Sequence, residues 1–358
     1  FKKKNVSQKY KILKNADIIL ICLPTPLKKL RPDMSFLYDC AKKLSLLNLK
    51  DKMIILESTV FPGATETVFN LININNEYNL GKNIFVGYSP ERENPGDKNF
   101  TYNKTPKVVS GKTRCCLKLI SNLYKLIVKK VVKAKSVEAA ETSKLLENLY
   151  RSVNIGLVNE LKIICEKINL DIFEIIDLAS TKNFGFQKFL PGPGLGGHCI
   201  PIDPYYLSWI SKKHGYDPKF IRLSGNINRS MPQWVIKKML NHINKKKPKI
   251  LILGIAYKKN VDDDRESPSF EIMKILKNKK IYFDYNDPYF PSIRKGRNIN
   301  IIKNSVKLTK SNLRLYDAIL VVTDHDDYDY KFIYNYSNQV FDARGVYKKF
   351  NFKNIIYC

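Results

Sequence analysis

Cys199 closes the segment Leu190-Pro191-Gly192-Pro193-Gly194-Leu195-Gly196-Gly197-His198-Cys199, which holds four glycines in the six positions from Gly192 to Gly197. Glycine tolerates positive φ and lets backbone N–H groups come close to a bound group, as loops that cradle a phosphate or a sugar require. A cysteine at the end of such a loop is a candidate nucleophile, with Asp203, four residues on, as a candidate partner. It reads equally as a small buried cysteine in a tight interdomain turn. Lys144 and Asn148 stand at i, i+4 and share one helical face, while Glu147 points elsewhere. A lysine and an amide converging on one spot hold a developing oxyanion; on spacing alone they also make an ordinary solvated face. In Ser89-Pro90-Glu91-Arg92-Glu93-Asn94-Pro95-Gly96 two carboxylates lie two apart, and Glu57-Ser58-Thr59 presents a similar cluster. A base beside a ligand contact fits these residues, and so does a charged surface turn.

Alternating strands and helices must position these groups. Apolar runs predict strands over 18–23, 53–57 and 84–88, with helices over 35–47 and 64–72 between them. That alternation implies a parallel sheet covered on both faces, with Glu57 and Glu91 at the carboxyl ends of its strands, where open α/β sheets bind ligands. From 137 to about 169 the pattern turns helical. Leu145, Leu149, Val153, Leu157, Leu161 and Ile164 recur at three- and four-residue steps and draw one apolar stripe. A further helix is expected over 171–179. A third block carries strands at 250–254, 281–285 and 318–322 around a helix at 269–277. The fold class is therefore α/β: two Rossmann-like domains joined by a helical central domain, with parts 1–134, 135–233 and 234–358. The first domain reads as incomplete. Nothing before Ile18 supplies the strand, G-x-G-x-x-G and helix that open a dinucleotide-binding sheet, nor the acidic residue about 20 positions on.

Composition narrows the class. The 358 residues, 44% hydrophobic and 27% charged, lie in the ordinary range for soluble domains, and no apolar run approaches the roughly 18–20 residues of a membrane span. Phe1-Lys2-Lys3-Lys4 leads into no signal-peptide core. Lysine and arginine number 62 against 33 acidic residues, a net charge of +29. The lysines are scattered among asparagine and isoleucine, as an AT-rich coding bias produces. No nucleic-acid or membrane partner is therefore read from them, although the excess favours a polyanionic small substrate. Seven cysteines without a C-x-x-C pair argue for a reducing cytoplasm, and four histidines outside any ligand spacing give no metal site.

Taken in order, the motifs become specific. Pro24-Thr25-Pro26, Glu57-Ser58-Thr59-Val60-x-Pro62-Gly63, Ser89-Pro90-Glu91-Arg92, Lys144-x-x-x-Asn148, Gly196-Gly197-His198-Cys199-Ile200-Pro201-Ile202-Asp203-Pro204 and Gly254-x-Ala256-Tyr257-Lys258 to Arg265-Glu266-Ser267-Pro268 together resemble the UDP-glucose/GDP-mannose dehydrogenase family over nearly the whole chain. Ser180-Thr181-Lys182-x-Phe184-Gly185-Phe186 and Phe189 to Gly194 are most similar to the UDP-N-acetylglucosamine 6-dehydrogenase branch.

The resemblance implies an NAD-dependent oxidation of the C6 alcohol of a nucleotide sugar to a carboxylate, feeding surface-polysaccharide synthesis. It implies Cys199 as nucleophile, Lys144 and Asn148 as oxyanion donors, and Glu91 as general base, with Thr59 and Asp203 positioning water. Thr25, Thr59, Glu93 and Arg265 are implied as cofactor contacts. Glu91, Lys144, Asn148, Lys188, Phe189, Leu190, Pro191, Gly192, Gly196, Lys258 and Arg344 are implied as contacts to the nucleotide sugar. A homodimer built on the long apolar helix is implied as well. The family's glycine-rich opening unit is missing here, so a truncated chain that binds UDP but holds NAD poorly is expected. UDP-N-acetylmannosamine and UDP-glucose are alternative substrates. A non-catalytic nucleotide-sugar-binding paralogue and, on charge alone, a nucleic-acid binder are the rival readings.

Overall fold

Aliphatic runs set the strands, and the helices between them bring successive strands back in parallel. The computed structural model describes residues 6–93, 103–197, 199–293, 301–350 and 352–358. The chain divides into two compact units, Phe1–Leu149 with Ile202–Pro218, and Tyr150–Pro201 with Lys219–Cys358.

The first unit contains β1 (Ile18–Ile21), the short pair β2 (Leu27–Lys28) and β3 (Arg31–Pro32), α1 (Ser35–Leu44), β4 (Lys52–Leu56), α2 (Ala64–Ile72), β5 (Ile84–Tyr88), β6 (Lys107–Val109), α3 (Arg114–Lys125) and β7 (Val131–Lys133). It also holds the first half of α4 (Val137–Lys167). Strands β1, β4 and β5 form a parallel sheet in that order, with Ile19 opposite Ile54 and Ile54 opposite Val86. Leu37, Ala41, Leu44, Ile54, Val60, Phe69, Ile84 and Val86 pack one face, while Ile55, Val109, Ile120 and Tyr124 pack the other. The expectation of a sheet covered on both faces holds for β4 and β5 but not for β1. There Ile19 and Ile21 are buried while Ile18 and Leu20 stay exposed, because α3, the helix on that face, lies against β5 and the separate β6–β7 pair.

The second unit takes the rest of α4, then α5 (Ile172–Ala179); α6 (Asp203–Lys213) returns to the first unit. The second unit resumes with α7 (Lys219–His242), β8 (Lys249–Leu253), α8 (Pro268–Asn278), β9 (Tyr282–Asn286), α9 (Lys310–Arg314), β10 (Ala318–Val321), α10 (Tyr330–Tyr336), β11 (Val340–Asp342) and β12 (Ile355–Tyr357). Its five parallel strands run in the order β12-β11-β10-β8-β9. Ile250 to Leu253 and Ala318 to Val321 are all buried, as strands covered on both faces must be. Among the described residues no helix is long and apolar enough to cross a membrane.

Helix α4 displays much of its apolar stripe: Leu157, Leu161 and Ile164 are 52%, 36% and 47% exposed. Leu145 alone of that stripe is fully buried. The buried face is instead largely polar: Glu141, Lys144, Asn148, Ser152, Asn159 and Lys162 recur at helical spacing and are all under 9% exposed. Polar side chains tolerate burial when each finds a partner.

Candidate active site

In the first unit, the carboxyl ends of β1, β4 and β5 collect the residues singled out by spacing. Thr25 is buried, and its hydroxyl donates to the Thr59 carbonyl at 2.8 Å. The Tyr206 hydroxyl donates to the Thr25 carbonyl at 2.6 Å. The Ser58 hydroxyl donates to the Leu23 carbonyl at 2.7 Å, tying the ends of β1 and β4 together. Glu57 is buried among partners rather than displayed. Its carboxylate accepts from the Tyr124 hydroxyl, pairs with the Lys107 ammonium at 3.1 Å, and faces the Cys22 thiol at 3.8 Å. Burial, and then the Glu57 charge, push the Cys22 thiol up to about 11, which leaves it protonated near neutral pH. Glu91 is partly exposed; its carboxylate accepts from the Glu93 backbone N–H at 2.5 Å and lies 3.9 Å from Lys107. Arg92, assigned no chemistry by the sequence, pairs with Glu147 on α4 at 2.6 Å and donates to the Pro106 carbonyl at 2.8 Å. It fastens the Glu91 segment to the helix.

The buried face of α4 supplies the remaining groups of this unit. Lys144 is 8% exposed, and the Asn148 amide donates to the Asp203 carboxylate at the start of α6. One turn earlier, Glu141 accepts from the Gly63 N–H at 2.7 Å, the Thr65 N–H at 2.8 Å and the Thr65 hydroxyl at 2.6 Å. The opening turn of α2, where an anion would otherwise find backbone donors, is thus already taken by a carboxylate. The Tyr88 hydroxyl is buried with no hydrogen-bond partner among the described residues. Burial, then the Glu141 charge, push it well above its ordinary range.

In the second unit, the glycine loop is held at both ends. The Gly192 N–H donates to the Asn159 side chain at 2.9 Å, and the Gly197 N–H donates to the Arg265 carbonyl at 2.8 Å. Gly197 has φ +84°, and a methyl group there would come within 2.8 Å of the Tyr257 ring. At Gly192 a methyl group would lie 2.8 Å from the Arg344 guanidinium, so the structure brings together two positions expected to bind one ligand. Cys199, two residues on, is half-buried. His198 lies outside the described residues.

The Phe189 ring meets Tyr150 edge-on, with centroids 5.8 Å apart, Lys258 is half-buried beside Tyr257, and Arg344 pairs with Asp324 at 3.2 Å. Two expected contacts point to other partners: Lys188 pairs with Asp177, and the Arg265 guanidinium is gripped by Asp263 at 2.6 and 2.9 Å. The catalytic candidates therefore fall in both units, with Thr59, Glu91, Lys144, Asn148 and Asp203 in the first and Cys199 in the second. A cavity of about 420 Å³ opens elsewhere in the second unit, lined by Lys162, Phe173, Lys238, Lys348 and Tyr357 among others, and none of the expected site residues borders it. Its outer cations are already paired, Lys238 with Glu166 and Lys348 with Asp171.

Models of the UDP-glucose/GDP-mannose dehydrogenase family match the chain in three successive pieces: the NAD-binding domain over 2–128, the central domain over 138–230 and the UDP-binding domain over 251–349. The chain belongs to the UDP-glucose/GDP-mannose dehydrogenase family. It is 34% identical over 356 residues to Protein CapL of Staphylococcus aureus, covering 93% of this chain and 80% of that protein. It is also 34% identical over 324 residues to the UDP-N-acetyl-D-glucosamine 6-dehydrogenase of Salmonella typhi, covering 88% and 75%. The solved UDP-D-ManNAc dehydrogenase of Pyrococcus horikoshii superposes with a TM-score of 0.86 at 27% identity, covering 98% of this chain and 83% of that one. NAD is accordingly the cofactor, and a nucleotide sugar the substrate class. At the carboxyl edge of the first unit Thr25 and Thr59 are joined by the bond from the Thr25 hydroxyl to the Thr59 carbonyl, and hydroxyl groups there suit the amide and hydroxyl groups of a dinucleotide.

Proposed function

We propose that the protein oxidises the C6 alcohol of a UDP-hexosamine, with UDP-N-acetylglucosamine favoured, to the uronate in two NAD-dependent steps, for surface-polysaccharide synthesis. The observation that carries this reading is a half-buried cysteine two residues beyond a glycine loop pinned by its own backbone amides at Gly192 and Gly197. When bound, NAD supplies the hydride acceptor for both oxidations, and Thr25, Thr59, Glu93 and Arg265 are the residues assigned to hold it.

The protein's own groups do the rest. Glu91 takes the proton of the alcohol. The Cys199 thiolate adds to the aldehyde carbon, forming a thiohemiacetal, so that the aldehyde does not escape; after the second oxidation that carbon is a thioester. Lys144 and Asn148 stabilise the oxyanion. Glu91, having passed the alcohol proton to solvent, then takes one from water positioned by Thr59 and Asp203; the hydroxide adds to the thioester carbon and the C–S bond breaks, releasing the uronic acid and the Cys199 thiolate. The Asn148–Asp203 hydrogen bond supports this assignment, because it orients the amide that must donate. Lys188 to Gly192, Gly196, Lys258 and Arg344 bind the nucleotide sugar. The remaining proposals are domain boundaries near 134 and 233, a cytoplasmic location and a homodimer formed through the exposed Leu157, Leu161 and Ile164 of α4.

The likeness to the Pyrococcus horikoshii enzyme favours a second reading, in which the substrate is UDP-N-acetylmannosamine. Both epimers, and UDP-glucose, are offered to the purified protein while NADH and aldehyde are followed. Two NADH form per sugar nucleotide consumed, fastest with UDP-N-acetylglucosamine, and Cys199→Ser nearly abolishes turnover while leaving affinity for the sugar nucleotide within a few fold. One NADH per sugar with free aldehyde released refutes the cysteine mechanism, and a preference for the manno epimer selects the second reading.

A further inference from the structure

Asn159 was assigned nothing by the sequence, yet it is fully buried and uses both ends of its amide. Its Oδ1 accepts the Gly192 N–H at 2.9 Å, and its Nδ2 donates to Asn228 Oδ1 at 2.9 Å. Asn228, 2% exposed on α7, completes the chain by donating through Nδ2 to the Ser152 carbonyl at 3.0 Å. The three bonds run from the glycine loop to α4, across to α7 and back to α4. Their directions are fixed at both ends, because Gly192 N–H can only donate and the Ser152 carbonyl can only accept.

The loop also leans on Asn228 from another side. Pro232 stands inside α7 and has no N–H to donate to the carbonyl four residues back, that of Asn228. That carbonyl lies 3.4 Å from where a side chain at Gly194 would begin. Gly192 in turn sits against the Arg344 guanidinium.

We propose that Asn159, backed by Asn228, is a positioning residue for nucleotide-sugar binding: the paired amides hold the Pro191–Gly194 backbone at one height against Arg344. This rests on the reading of that loop as a sugar-nucleotide contact. The physical case is that a loop of glycines and prolines has almost no side chains with which to hold itself. Without the clamp it pays the ordering entropy each time ligand binds.

The test is Asn159→Asp. It keeps an acceptor for Gly192 but replaces the donor toward Asn228 with a second acceptor; even if Asn228 flips to compensate, an oxygen then faces the Ser152 carbonyl. Calorimetry with UDP-N-acetylglucosamine and hydrogen exchange of the 189–197 peptide are measured on the same samples. The expected result is an affinity at least tenfold weaker and exchange at least tenfold faster in 189–197, with exchange in 250–256 unchanged. Asn228→Ser, which leaves the Asn159–Gly192 bond in place, should do the same to a smaller degree and covers the case in which Asn159→Asp fails to fold. Affinity within twofold of the unsubstituted protein overturns the proposal, whether or not the loop exchanges faster. If the unsubstituted protein does not bind UDP-N-acetylglucosamine, the functional reading fails. Loop exchange then still decides the clamp: unchanged exchange in Asn159→Asp overturns it and faster exchange upholds it.

Discussion

The two halves of α4 bury the same kind of face and put it to different uses. In the first half, Lys144 and Asn148, which spacing marked as oxyanion donors, are buried and Asn148 meets the Asp203 side chain, while Glu141 takes the Gly63 and Thr65 N–H groups as a clamp does. In the second half, Asn159 and Lys162 hold backbone: Asn159 takes the Gly192 N–H and Lys162 donates to the Cys358 carbonyl, while Asn228, the partner of Asn159, donates to the Ser152 carbonyl. Burial by itself therefore does not identify chemistry. A buried polar side chain whose partners are backbone groups is a clamp. One whose partner is another polar side chain at the ligand-binding edge of a sheet is a candidate for catalysis.

The contrast can be broken most sharply at Lys144. Lys144→Ala should lower kcat by roughly 10²–10³, the range for removing one preorganised oxyanion donor, with little change in KM. A raised KM at unchanged kcat would move Lys144 into the clamp class. Glu141→Ala comes next. It strips the acceptor from the Gly63 and Thr65 N–H groups and the Thr65 hydroxyl, and should destabilise the protein by about 3 kcal/mol in chemical denaturation. An unchanged midpoint would show that water replaces the carboxylate without cost.

Lys162 gives a pH test of the second half. Burial pulls its ammonium down from 10.5 to about 8, against the opposing charges of Asp342 and Glu166, while Lys238 adds to the downward pull. Below pH 8 the lysine is charged in both the folded and unfolded chain. Between about 8 and 10 the unfolded chain alone binds the proton, so stability should rise by up to about 1.4 kcal/mol per pH unit. Above pH 10 buried tyrosines such as Tyr206, whose hydroxyls are raised by burial, reverse the trend. Lys162→Met should flatten the rise between pH 8 and 10; a slope that survives the substitution assigns it to other groups. The smallest effect concerns the exposed stripe. Leu161→Glu should weaken self-association about tenfold in sedimentation equilibrium while leaving monomer stability nearly unchanged.

The sequence was most legible where structure is local. The strands at 53–57 and 84–88 and the helix at 64–72 were placed within a residue of β4, β5 and α2, because short apolar runs and turn residues carry their own boundaries. Helices α3, α6, α7, α9 and α10 went unread, as did strands β2, β3, β6, β7, β11 and β12. The three-residue strands are too short to show a period. In α7, Pro232 interrupts the sequence as a helix breaker, although the helix continues through it. At the site, Cys199 and its glycines stood out because residue type alone marks them. Arg92, Glu141 and Asn159 did not, since nothing near them in sequence says what they will meet.

What the sequence by itself determined is the set of residues that share each face: Lys144 with Asn148, the leucines of α4 with one another, the glycines with Cys199. What tertiary structure decided is which face is covered. Periodicity ranks faces by apolarity, and on α4 that ranking inverts, because its polar face meets partners that make its burial tolerable. Those partners are distant in the chain: 76 residues separate Thr65 from Glu141, 69 separate Asn159 from Asn228, and 196 separate Lys162 from Cys358. A helical repeat of 3.6 residues registers only neighbours within a few turns, so it carries no information about groups that only folding brings alongside.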